Sequence, residues 1–122
     1  MILFLTALVG GVGGMSRFLV DTFVNRHNRF STPMGTQVIN ISACLALGVL
    51  AGYAATRTGT ESLYSVLGVG FMGGYSTFST ASIESARLLL AGRHTSGIVH
   101  ALVMILASYA AAICGLSLGG LL

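Results

Sequence analysis

Gly73-Gly74-Tyr75-Ser76-Thr77-Phe78-Ser79-Thr80 lies in the middle of an apolar run that starts near Leu63 and ends near Ala91. The run is longer than the roughly 20 residues a straight helix needs to cross the hydrocarbon core. Paired glycines followed by a row of hydroxyls predict a helix that is broken near Gly73–Phe78, at membrane depth. Broken backbone exposes amide and carbonyl groups that lipid cannot satisfy. It is tolerated there only where it is buried in protein or lines a cavity. The octapeptide therefore implies a bundle of further membrane helices built around it.

The rest of the chain supplies them. Apolar runs cover about 2–23, 34–55 and 97–121, separated from one another and from the 63–91 run by Asn25–Pro33, Thr56–Ser62 and Gly92–Ser96. The first run has no basic leader and no clean cleavage site, and equally apolar runs follow it, so it is expected to remain as a span. The expected fold is all-α: one integral membrane domain over 1–122, with four transmembrane helices. Composition agrees, at 54% hydrophobic and 7% charged over 122 residues and a mean hydropathy of +0.88. An ordinary soluble domain is about 25% charged. All six basic residues are arginines, placed singly at or near the ends of apolar runs. They read as interfacial anchors in contact with membrane lipid, and a nucleic-acid surface is not expected. Cys44 and Cys114 sit mid-span without CxxC spacing and read as small core residues. His27, His94 and His100 have no metal-ligand spacing.

Glycine pairs at four-residue spacing recur in each run: Gly10/Gly14, Gly48/Gly52, Gly70/Gly74 and Gly115/Gly119. In lipid, close backbone approach through small residues drives helix association. A compact bundle with a self-association face is expected. Two other patterns are coincidences. Gly68-Val69-Gly70-Phe71-Met72-Gly73 satisfies a dinucleotide-binding pattern with no strand before it, and Asn40-Ile41-Ser42 satisfies a glycosylation sequon inside the membrane.

Polar groups at membrane depth are rare and usually face the bundle interior or a water-filled path. Asn40 either fixes packing through an interhelical hydrogen bond or donates to a dehydrated anion; the residue alone supports both. Ser76, Thr77, Ser79, Thr80, Ser82 and Ser85 form a hydroxyl run beside the break. Taken singly, such hydroxyls bond back to their own helix. As a row they can donate to an anion without a fixed positive charge in its way. Phe78 reads first as packing, although its electropositive ring edge suits a small anion. Arg17 and Asp21, four residues apart, read as a surface ion pair or as an anion-attracting vestibule. Glu84 lies toward the end of the third run. Four helices enclose a packed core rather than a channel, so transport implies assembly.

These residues resemble the Fluc (CrcB) fluoride channel family. Gly70 to Thr80 with Glu84 is similar to its GxxGGxTTFSTF…E signature, Gly10 to Phe18 to its GGxxGxxxR-aromatic motif, and Gly35 to Asn40 to GTLxVN. Order, spacing and placement agree over essentially the whole chain. The resemblance implies an antiparallel, dual-topology dimer in a bacterial or archaeal-type plasma membrane, with two narrow pores that pass fluoride passively out of the cytoplasm. It implies that Asn40 and Phe78 coordinate the ion, that Ser79, Thr80 and Ser108 line its path, and that Arg17 serves the vestibule. It also implies a structural Na⁺ at the dimer centre, held by the backbone carbonyls of Gly73 and Ser76. Two positions depart from the family pattern. Ala81 stands where a second phenylalanine is usual, and Met104 where the fourth helix often carries a polar or aromatic side chain.

Those departures leave a homodimer and a heterodimer with a sibling chain both open. Arg26, Arg29 and Arg93 lie in the first and third loops and Arg57 in the second. Such a bias tilts the chain toward one orientation, which favours a sibling partner. A subunit that only stabilises a partner is a further reading, but the retained Asn40, Phe78 and glycine pair argue against it. A multidrug-type proton-coupled exporter would want an acid in the first helix and a tryptophan; no acid precedes Asp21 and the chain has no tryptophan. No nucleophile–base pair can be assembled, so an enzyme is not expected.

Overall fold

The computed structural model describes residues 1–122, the whole sequence. It is entirely helical: α1 (Ile2–His27), α2 (Gly35–Thr56), a short α3 (Glu61–Leu63) running into a π-helix, π1 (Tyr64–Met72), then α4 (Gly73–Tyr75), α5 (Phe78–Leu90) and α6 (His94–Leu121). Three helices, α1, α2 and α6, are each long and apolar enough to cross a membrane. The third apolar run is two rods, 61–75 and 78–90, joined by Ser76 and Thr77. Helix ends fall within a few residues of the apolar runs except at α1, which continues to His27. Asn25 Nδ2 donates to Asp21 Oδ1 at 2.9 Å, and His27 Nδ1 lies 2.9 Å from the Phe23 carbonyl. Asn25 also accepts from the Gly35 N–H at 3.2 Å, so the end of α1 caps the start of α2.

The polar loops tie the ends of the bundle together. Arg93 donates to the Ser31 carbonyl and hydroxyl, both at 2.8 Å, joining the α5–α6 turn to the α1–α2 loop. At the other end Arg57, stacked over the Tyr53 ring, donates to the Leu122 carbonyl. Gly59 and Gly92, in the turns after α2 and α5, are the two residues with positive φ.

Glycine spacing sets how the helices pair. A Cβ added at Gly115 would fall on the Leu45 carbonyl and 3.1 Å from Gly48 Cα; one at Gly74 would fall on the Gly10 carbonyl. α2 and α6 thus pack backbone to backbone, as do α1 and the 61–75 rod. All four glycine pairs meet partners within the chain. The expected self-association face is therefore not built from them. Only 19 of 122 residues are buried, while Leu3, Phe18, Leu90, Leu106 and many other apolar side chains are exposed. That surface suits a lipid solvent, in which apolar exposure carries no cost.

Candidate functional site

The break is made by Ser76 (φ −75°, ψ 160°) and Thr77 (φ −156°, ψ 111°), both extended. Gly73 and Gly74 are helical. The interruption falls within the expected stretch Gly73–Phe78, just after the glycine pair, of which Gly74 lets the 61–75 rod lie against α1. Extended backbone inside a bundle needs outside partners, and Asn40 supplies them. Its Nδ2 donates to the Thr77 carbonyl at 2.8 Å and its Oδ1 accepts from the Thr77 N–H at 2.8 Å. Both residues are buried. The remaining Nδ2 proton points to Met104 Sδ at 3.5 Å. The interhelical hydrogen bond considered for Asn40 is formed, as a bidentate clamp on backbone.

Thr77 then starts α5. Its hydroxyl accepts from the Thr80 N–H at 3.3 Å and lies 2.9 Å from Thr80 Oγ1 and 3.3 Å from Ser79 Oγ. This is an N-cap geometry that satisfies the first amides of the restarted helix. Thr77 and Thr80 face a cavity of about 220 Å³ shared with Gly14, Arg17, Phe18, Asp21, Thr36 and Ile39. Arg17 Nη1 donates to the Ser76 carbonyl at 3.4 Å. Of the two readings of Arg17 and Asp21, the ion pair is not formed: Asp21 is engaged by Asn25, and Arg17 reaches across to the break.

Phe78 points the other way. It is 74% exposed and borders a cleft of about 240 Å³ with Ala81, Ser82, Ser85, Ala101, Met104 and Ile105. Asn40 bonds to Thr77 on the wall of the first space and to Met104 on the wall of the second, and Thr80 and Phe78 line different spaces. Ser108 lies on α6 one turn beyond Met104, with a buried hydroxyl that has no partner.

A second polar cluster adjoins the clamp. Gln37 Nε2 lies 3.0 Å from His100 Nδ1, and His100 Nε2 lies 3.5 Å from Glu84 Oε2. Glu84 Oε1 accepts from the Thr36 hydroxyl at 2.9 Å. His100 is 2% exposed. Neither Gln37 nor His100 stands out in the sequence as a site residue. Their signal was spacing: Gln37 and Asn40 are three apart on α2, and His100, Met104 and Ser108 are four apart on α6, each set on one helix face.

The Gly73 carbonyl would accept from the Thr77 N–H in an unbroken helix; that donor is bonded to Asn40 instead. Gly73 and Ser76 thus present carbonyl oxygens outside the helix ladder, a donor type that suits a hard cation. The Ser76 oxygen faces the Arg17 guanidinium as well.

The family model described as CrcB-like protein, Camphor Resistance (CrcB), matches residues 4–116. The chain belongs to the CrcB family. Among its relatives, "Fluoride-specific ion channel FluC 2" of Cutibacterium acnes is 42% identical over 113 residues, 92% of each chain. "Fluoride-specific ion channel FluC" of Novosphingobium aromaticivorans is 41% identical over 117 residues, covering 93% of this chain and 88% of the relative. "Fluoride-specific ion channel FluC 2" of Rhodococcus jostii is 35% identical over 118 residues, 97% and 98% of the two chains. CrcB membership agrees with the family resemblance read from the three motifs, and it places the chain among channels rather than enzymes.

Proposed function

We propose that this chain is a fluoride-selective passive channel that releases cytoplasmic fluoride down its gradient and so lowers its toxicity. The observation that carries the reading is similarity along nearly the whole chain to relatives named as fluoride-specific channels. The chemistry at the break supports it. Fluoride is a small, strongly hydrated acceptor, and a path for it must replace water with donors while avoiding a fixed charge that would trap it. The Asn40 amide and the hydroxyls of Ser79, Thr80 and Ser108 are such donors. The Phe78 ring offers an electropositive edge, and Arg17 attracts anions to the mouth. A proton-coupled exporter finds no support among the relatives.

The working unit in this proposal is an antiparallel, dual-topology homodimer of four-span subunits in the plasma membrane. Four crossings are supported by the loop contacts: Arg93 with Ser31 joins the first and third loops, and Arg57 with Leu122 joins the second loop to the C-terminus. Assembly is supported by the exposure of Phe78 and the separation of the two cavities, since a second subunit would supply the missing wall. In that dimer the Gly73 and Ser76 carbonyls of both copies would hold a structural Na⁺, whose charge stabilises the facing breaks. The arginine excess in the first and third loops is the one observation favouring a second reading, a heterodimer with a fixed orientation.

The test is growth. In a bacterium lacking its own fluoride exporters, this chain expressed alone restores growth in millimolar fluoride, and the Asn40→Ala variant does not. No restoration by a chain that reaches the membrane counts against the homodimer and sends the search to a sibling subunit.

A further inference from the structure

We propose that Met104 sets the rate at which the ion passes Asn40, an inference that rests on the channel reading above. α6 presents His100, Met104 and Ser108 on one face, and that face is polar on either side of Met104: His100 meets Gln37 and Glu84, and Ser108 carries a buried hydroxyl without a partner. Met104 interrupts this stripe. It is 8% exposed, and its sulfur lies on the Asn40 amide.

The Asn40 amide has only one group to offer a ligand. Its oxygen and one N–H are committed to the Thr77 backbone, and the break would come apart without them. The second N–H is the one free to meet an ion, and the Met104 thioether occupies it. A thioether is a weak acceptor, so a fluoride ion displaces it, whereas the thioether keeps the N–H from being buried unpartnered between ions. Methionine is unbranched with three rotatable bonds, so the side chain can move without moving α6. Space for it exists in the cleft of about 240 Å³ that Met104 shares with Phe78, Ala81, Ser82 and Ser85. Ala81 contributes a single methyl to that wall and leaves the room a larger side chain would fill. Each passing ion must therefore push the Met104 side chain from the amide, and that displacement is part of its barrier.

The experiment compares initial fluoride efflux from liposomes containing the native chain, Met104→Ala or Met104→Ile, with chloride-loaded vesicles alongside and assembly checked by size-exclusion chromatography. Met104→Ala removes the competing acceptor and its bulk, and should raise efflux about fivefold, the effect of one weak hydrogen bond on a barrier. Met104→Ile keeps bulk but is stiff at χ1 and brings no acceptor, and should lower efflux about tenfold. Rates indistinguishable from native in both assembled variants, or slower efflux in Met104→Ala, would overturn the proposal while leaving the channel reading standing. If Met104→Ala does not assemble, native-like efflux through Met104→Ile overturns it alone. A silent native chain beside a conducting Met104→Ala variant supports it, as a plug removed. Silence from every assembled protein overturns this inference and the self-sufficient homodimer together.

Discussion

Asn40 does two jobs with one amide. It bonds both backbone groups of Thr77, and it aims its remaining proton along the face where Met104 and Ser108 lie. Removing it leaves the Thr77 N–H and carbonyl buried without partners, at a cost of about 3 kcal/mol for the pair. Asn40→Ala is therefore expected to lose fluoride flux and also to unfold at clearly lower SDS in a denaturation titration. Thr77→Ala keeps the backbone clamp and loses only the N-cap at Thr80, a loss of about 1 kcal/mol. A titration in which Thr77→Ala is the more damaged of the two would contradict the clamp. Asn40 stood out in the sequence as an amide at membrane depth. Thr77's part was not legible, because it is carried by backbone, on which a side-chain letter has no bearing. The partners of Glu84 were hidden for another reason: Thr36 and His100 lie 48 and 16 positions away, and only packing brings them together.

At the scale of the elements, glycine placement decides which helices touch. Gly48 and Gly52 face Gly115 and Gly119, and Gly74 lies on Gly10. A side chain at Gly115 would strike the Leu45 carbonyl and force α2 from α6, carrying Asn40 away from Met104 and Gln37 away from His100. Gly115→Val is expected to destabilise the chain by about 3 kcal/mol or more, since backbone rather than a flexible side chain must move. Gly120→Val, where an added Cβ meets nothing within 4 Å, should be nearly silent. Equal behaviour of the two in detergent, read as the fraction eluting as folded protein, would contradict this packing. The glycine pairs were visible in the sequence, but not their use: spacing shows that a face is small without saying whether its partner is in the same chain. Likewise the break falls at Ser76 and Thr77, inside the expected stretch Gly73–Phe78, while the glycine pair itself stays helical. The nine-residue π-helix before it, Tyr64–Met72, left no signal in the apolar pattern.

For the whole molecule, the proposal requires two copies in opposite orientations. With Cys44 and Cys114 replaced by serine and one cysteine placed at Ser31, a membrane-impermeant thiol reagent is expected to label about half the protein in sealed, right-side-out cells, the signature of free insertion both ways when the loop-arginine bias is too small to set orientation. Labelling that is complete or absent would mean a fixed orientation and would favour the heterodimer. The apolar runs made the all-helical membrane fold legible from the sequence, and the three motifs its family. The division of the site between a cavity at Arg17 and a cleft at Phe78 was not, since it depends on which face of α5 each residue takes after the break.

This chain alone is expected to pass fluoride through a path that depends on Asn40. Fluoride efflux from liposomes holding the purified chain, read with a fluoride electrode beside chloride-loaded vesicles and the Asn40→Ala variant, tests it most directly. Rapid fluoride efflux without chloride efflux, abolished in the variant, is the expected result. Efflux that persists unchanged in Asn40→Ala, or chloride leaving as fast as fluoride, would contradict it.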